Sequence, residues 1–160
     1  TLFGTLDDAG NTCSDINNLE VVEMRQEFWI STIPAGQARP RFVRRGSFVG
    51  TYDPAKSKGY KLDIKYQVMD AHPVKMQGPL TMVIDFLMPR PKAHYNARGL
   101  RKDAPTFHDK RPDIDNTLKS VLDALKGILW DDDTQLSVVM ATKKYSEVPG
   151  IKIIIQEAEV

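Results

Sequence analysis

Apolar and polar positions follow two different periods along this chain, and the switches between them mark its elements. Glu27 to Ile33 is a β-favouring run with Phe28, Trp29 and Ile30 to bury, and it predicts a first strand with Trp29 in the core. Asp53-Pro54 has the cap-then-proline order of a helix start. Tyr60, Ile64 and Val68, with Leu62 and Met69, supply the apolar side of a helix reaching about Met69. Leu80 to Met88 (LTMVIDFLM) predicts a second strand, in which Asp85 faces solvent or a polar cleft, the first being the plainer reading. From Ile114 the period is helical again: Ile114, Leu118, Val121, Leu122, Leu125, Ile128 and Leu129 form one stripe. Pro112 disfavours helix at the residue before it, Asp113 stands where it can cap the first turn, and Gly127 predicts an end around Ile128 to Trp130. Gln135 to Tyr145 and Gly150 to Glu157 predict two last strands, turning at Ser146 to Pro149. In the second of these, Ile151, Ile153 and Ile155 alternate with polar neighbours.

The order is β, loop, α, β, long loop, α, β, β. It predicts an α+β domain: a mixed, mainly antiparallel sheet with two helices packed on one face. A chain of 160 residues, 41% hydrophobic and 27% charged, is of ordinary globular composition and long enough for one sizeable core. Residues 1–23 are polar and acidic and predict a poorly specified extension; residues 24–160 predict the domain, with Met24 a candidate natural start. Cys13 is the sole cysteine, which rules out an intrachain disulfide and fits a reducing cytoplasm. No apolar run is long enough for a membrane span.

Net charge is only +1, so the composition as a whole does not mark a nucleic-acid binder. Its distribution does. Between Ala35 and Leu62 seven basic residues stand against Asp53 alone, and four of them, Arg39, Arg41, Arg44 and Arg45, fall in a loop or hairpin after the first strand. Between Pro89 and Pro112 seven more stand against Asp103 and Asp109, in a segment without hydrophobic periodicity. Arg98, Arg101, Lys102, Lys110 and Arg111 lie there and, with the first group, are the candidate DNA contacts, since Lys and Arg neutralising phosphate supply most non-specific affinity.

These basic segments precede an acidic stretch, RPDIDNTLKSVLDALKGILWDDDTQ, residues 111–135. Asp113 and Asp115 open the amphipathic helix, Lys119 follows one turn after Asp115, and Asp131, Asp132 and Asp133 follow the helix. If the next strand returns beside the helix start, three carboxylates converge into an oxygen site for a hard divalent cation, able to activate water against a phosphodiester. The same residues also suit plainer roles, a helix cap and a solvated Asp-rich turn.

The composite Asp113-Ile114-Asp115-Asn116, Lys119, Asp123-Ala124-Leu125 and Trp130-Asp131-Asp132-Asp133-Thr134-Gln135 resembles the RusA family of Holliday junction resolvases, small dimeric endonucleases often carried by phages and prophages. The resemblance implies a bacterial or phage-encoded homodimer that cleaves branched DNA, above all four-way junctions, with Mg²⁺ or with Mn²⁺ in its place. It implies Asp113, Asp115 and Asp133 as catalytic metal ligands, with Asp132 the alternative to Asp133, and Lys119 as the essential lysine. Family members that carry an arginine directly before the first aspartate differ from this chain, where Pro112 intervenes after Arg111. Two other readings stand beside it: a branched-DNA-binding module without catalysis, and a general metal nuclease acting on flaps, forks or RNA.

Overall fold

The computed structural model describes residues 24–38, 41–52 and 54–158, and its elements follow the predicted order. They are β1 (Arg25–Ile30), β2 (Arg41–Arg45), β3 (Phe48–Tyr52), α1 (Ala55–Asp70), β4 (Leu80–Pro89), β5 (Tyr95–Asn96), β6 (Gly99–Leu100), α2 (Ile114–Leu125), β7 (Leu136–Ser146) and β8 (Gly150–Glu157). The extension at 1–23, Arg39 and the cap expected from Asp53 lie outside the described residues.

The main sheet has the order β1-β8-β4-β7. β8 pairs antiparallel with β1 and β4, while β4 and β7 are parallel, which makes the sheet mixed and mainly antiparallel. Strand alternation selects the core. Leu80, Met82, Ile84, Phe86 and Met88 of β4 are buried, and Ile151, Ile153 and Ile155 of β8 stand beside them in register. On that face lie Ile64 and Val68 of α1 and Val121, Ala124 and Leu125 of α2, with Leu129 and Trp130 completing the cluster.

Several expectations are corrected. Leu62 and Met69, expected on the apolar side of α1, are 47% and 48% exposed because they lie off the stripe of Ile64 and Val68, and Ile114, expected in the stripe of α2, is 38% exposed at the helix start. Trp29 is not in the core: Phe28 and Ile30 point inward, so the residue between them faces out and is 48% exposed. Asp85 is half-buried rather than solvated, accepting a hydrogen bond from Thr142 Oγ1 with Lys144 Nζ at 3.7 Å. α2 ends at Leu125, short of Ile128, because Lys126 leaves the helical region (ψ 132°) and Gly127 takes φ +82°, a conformation glycine tolerates without strain.

One topological fact positions everything that follows. Parallel neighbours need a crossover, and α2 is part of the one joining β4 to β7. The helix runs back over the sheet, so it starts near the carboxyl ends of β4 and β7 and ends near their amino ends. Lys143, opposite Phe86, bonds Pro112 just before the helix, whereas Met76 N–H donates to the Leu129 carbonyl after it (2.8 Å).

Candidate functional site

Asp113 occupies the N-cap of α2 in an extended conformation (φ −69°, ψ 144°). Its carbonyl accepts from Thr117 N–H (3.0 Å) and Thr117 Oγ1 (2.9 Å), but its carboxylate makes no capping hydrogen bond. The plainer reading of Asp113 as a side-chain cap therefore does not hold, and the carboxylate is left to face a cleft. Asp115 stands in the first turn, where the unpaired backbone N–H groups favour negative charge. Both are exposed and line the same cleft, together with His108, Asp109, Lys110 and Arg111 of the long loop and Thr142 and Lys143 of β7.

The long loop is docked rather than loose. Residues 106–108 run beside the end of β7: Tyr145 N–H donates to Thr106 (2.9 Å) and His108 N–H to Lys143 (3.0 Å). The buried Tyr145 ring meets His94 and His108 edge-on at centroid distances of 4.7 and 4.8 Å, with the Arg90 guanidinium 5.7 Å from its centroid. Lys143 Nζ donates to the carbonyls of Lys110 and Pro112, the latter at 2.6 Å. One lysine thus ties the strand to the residues that lead into Asp113. His108, Asp109, Thr142 and Lys143 were not singled out from the sequence as site residues. The register of the strand brings Thr142 and Lys143 here, and no local spacing encodes that.

The aspartate triplet lies at the other end. Asp113 heads α2 and Asp133 follows its C-terminus; the 12 residues of the helix span about 18 Å at ~1.5 Å each. The strand direction agrees: Gln135 bonds Met76 and Gly78, next to the start of β4, and Leu80 to Phe86 covers about 20 Å at ~3.3 Å per residue. Within one chain the structure therefore does not bring Asp133 to Asp113 and Asp115. Among the described residues no three His, Cys, Asp or Glu side chains come together closely enough to hold a metal ion. The strand that follows α2 does come alongside the helix start, but with its far half.

The triplet is instead divided among structural partners. Asp131 pairs with Lys75 (2.8 Å) and Gln77 (3.2 Å), and the bond from Lys75 does most to hold its carboxyl below the usual range. Asp132 caps a single 3₁₀ turn through Thr134 N–H (3.1 Å), with Lys126 Nζ also at 3.1 Å; the backbone bond from Thr134 is the largest cause of its lowered pKa. Asp133 accepts from the indole N–H of buried Trp130 (2.8 Å). Gln135 closes the turn: its Oε1 accepts from Asp131 and Asp132 N–H, and its Nε2 donates to Met76 and Gly78.

Asn116 and Asp123 hold the segment after β1. Asn116 Nδ2 donates to the Gln37 carbonyl (3.1 Å), Gln37 N–H donates back to the Asn116 carbonyl (3.3 Å), and Gln37 Nε2 reaches Asp123 (3.1 Å) beside Lys61 Nζ (2.9 Å). Gly36 leaves room for this approach, since a Cβ there would stand 2.5 Å from Asn116 Nδ2 and displace that amide. Lys119 is exposed one turn beyond Asp115 and makes no ion pair with it among the described residues. Of the basic residues, Lys110 and Arg111 line the cleft, and Arg98 and Lys102 are exposed in the long loop. Arg101 is paired with Asp103 (2.6 Å), Arg44 is exposed on β2, and Arg41 and Arg45 lie on the same strand.

Burial, then the positive charge of Lys143, pushes the His108 pKa below its ordinary value of 6.5, and Nδ1 is buried without a partner among the described residues. The unfolded chain therefore takes up this proton first. The stability His108 contributes is complete above about pH 6.5 and is lost as pH falls from there through the folded-state pKa. His108→Gln is expected to flatten the melting-temperature profile between about pH 7 and 5. A profile with the wild-type slope would locate that pH dependence elsewhere.

Among the described residues no helix is long and apolar enough to cross a membrane. The family described as Endodeoxyribonuclease RusA matches residues 32–156. The chain is also 33% identical over 138 residues to the uncharacterized protein YqaN of Bacillus subtilis (strain 168), an alignment covering 82% of this chain and 95% of that protein.

Proposed function

The chain belongs to the RusA endodeoxyribonuclease family, and from that premise we propose that it is a Mg²⁺-dependent homodimer that resolves four-way DNA junctions by symmetrical phosphodiester cleavage. One observation carries the reading: two exposed carboxylates, Asp113 and Asp115, face one cleft from a helix N-terminus, the first not used as a cap, with Lys110 and Arg111 lining the same cleft. This donor set fits Mg²⁺, which uses one or two carboxylates and leaves its other positions to water and a substrate phosphate; Mn²⁺ accepts the same oxygens. When bound, such an ion supplies a nucleophilic water and offsets charge on the phosphoryl oxygens. Lys110 and Arg111 position the strand through its phosphates. Lys119 meets the negative charge that develops at the scissile group.

A second copy would account for the remote position of Asp133. Among the described residues β7 is the outer strand of the sheet, and residues 106–108 cover its edge near Lys143 to Tyr145 and nowhere else. The remaining edge carries Val138, Val139 and Met140, which are 51%, 37% and 60% exposed. A free strand edge bearing apolar residues is a template for pairing. Antiparallel pairing of two such edges about a two-fold axis near Val139 would run the partner's β7 back towards the Lys143–Tyr145 end, so that Asp133 of the partner subunit arrives beside residues 106–108, which border the cleft that holds Asp113 and Asp115. Asp131 and Asp132 are not chosen as ligands, because Lys75 and the Thr134 backbone already engage them.

The direct test is digestion of a synthetic four-way junction, a fork, a linear duplex and an RNA, with and without Mg²⁺. Paired cuts in the junction that require Mg²⁺ are expected. Equal rates on all four substrates would leave a general nuclease, and binding without any cut would leave a branched-DNA-binding module.

A further inference from the structure

The ribbon β2–β3 is a separate two-stranded sheet, outside the main one. It carries large apolar side chains into solvent: Phe42 is 77% exposed, Phe48 71% and Val49 60%. The pairing register places them on both faces. Phe42 shares a face with Arg44 and Val49, and Phe48 lies on the other, beside Gly50. The Phe48 ring rests against Gly50, where a Cβ would come within 3.1 Å of it, so the missing side chain makes room for the ring. Aromatic rings on both sides of a thin ribbon do not form a core. They form surfaces that wait for flat, apolar partners.

Charge identifies the partner. Between positions 36 and 52 there are four arginines and no acidic residue, so two such ribbons repel each other and a polyanion attracts them. The root of the ribbon is tied through Gln37 to Asn116, the residue after Asp115. Arg41, where the ribbon begins, is four residues from Gln37, so its root stays within about 14 Å of that tie at ~3.5 Å per residue. At the centre of a branched DNA the terminal base pairs of adjoining arms lose their stacking neighbours and expose π faces, which aromatic side chains cover without regard to sequence.

We propose that Phe42 and Phe48 of the β2–β3 ribbon stack on the unstacked bases at a DNA branch point, so that the ribbon selects branched over linear DNA while the carboxylates cut. This rests on the function proposed above and adds to it a structure-sensing site separate from the metal site. The expected behaviour is specific. Phosphate contacts are lost equally on branched and linear DNA, whereas stacking at the branch is lost on branched DNA alone.

The test measures binding in Mg²⁺-free buffer at fixed salt, comparing a four-way junction with a duplex of the same arm sequence, for wild type, Phe42→Ala/Phe48→Ala and Phe42→Trp/Phe48→Trp. The alanine pair is expected to lose about tenfold or more in junction affinity, with duplex affinity within about twofold and the tryptophan pair near wild type. 2-Aminopurine at the branch should change fluorescence with wild type and not with the alanine pair. Equal losses on both DNAs, or an alanine pair that sediments as a monomer where wild type is a dimer, would overturn the proposal. Wild-type junction cleavage with an unchanged preference in the alanine pair would overturn it and leave the nuclease reading intact. Failure of wild type to bind or cut any branched DNA would overturn both.

Discussion

Asp113→Asn and Asp133→Asn proteins, each inactive by itself, are expected to regain cleavage when mixed. A carboxylate that helps hold the cation is worth several kcal/mol in the transition state, so each single variant should fall by about 10³-fold. If Asp133 acts across the subunit boundary, one arrangement in the mixed dimer unites an intact Asp113 with the intact Asp133 of the partner subunit. The other site in that dimer carries both substitutions. Random exchange of a two-fold dimer makes about half the molecules hybrids, each with one working site, so about a quarter of wild-type cutting should return. The products should be nicked junctions rather than resolved ones, because a hybrid cannot cut two strands. If all three aspartates instead served one chain alone, mixing would restore nothing, and the same gel would show it.

Trp130→Ala is expected to be the most damaging single change to the fold. Trp130 has no exposed surface and is among the largest fully buried side chains of the core. Truncating it removes a transfer contribution and leaves a cavity, together about 3–5 kcal/mol, a large share of the ~5–15 kcal/mol a domain has in hand. A fall of ten degrees or more in melting temperature should follow. Trp130→Phe separates this packing from a second role. It keeps an aromatic ring but loses the indole N–H that Asp133 accepts. That variant should melt much closer to wild type, by about 1 kcal/mol plus a smaller packing loss. It should nevertheless need about tenfold more Mg²⁺ for half-maximal cleavage, since partners that orient a ligand are worth about 10–100-fold. An unchanged Mg²⁺ requirement would remove Asp133 from the metal site.

Periodicity made the architecture legible. The stripe of α2, the alternation in β8 and the β-favouring run of β4 are local patterns, and burial in the structure follows them except at Ile114, which is exposed at the helix start. Trp29 shows the limit of composition: three adjacent large apolar residues read as core, yet a strand can bury only alternate ones on a face. The candidate site was half legible. Asp113 and Asp115 share a helix start, so their neighbourhood is local. Asp133 depends on where a strand enters the sheet, and a crossover helix carries the chain one helix length away before that strand begins. Lys143 was invisible for the same reason, since it meets the cleft through pairing between segments more than thirty residues apart, and His108, a conceivable ligand by residue type, has no partner at ligand spacing in the sequence to mark it.

The Gln135 clasp bears on how this family's chains are sorted into cutters and non-cutters. Trp130, Asp132 and Gln135 fasten the turn into β7 to the residues before β4, a task that a catalytically dead descendant must still perform in order to fold. A sequence signature built on that turn would admit pseudo-enzymes; if Asp113 and Asp115 hold the metal as proposed, one requiring carboxylates at those positions, which bear little of the scaffold, would exclude them.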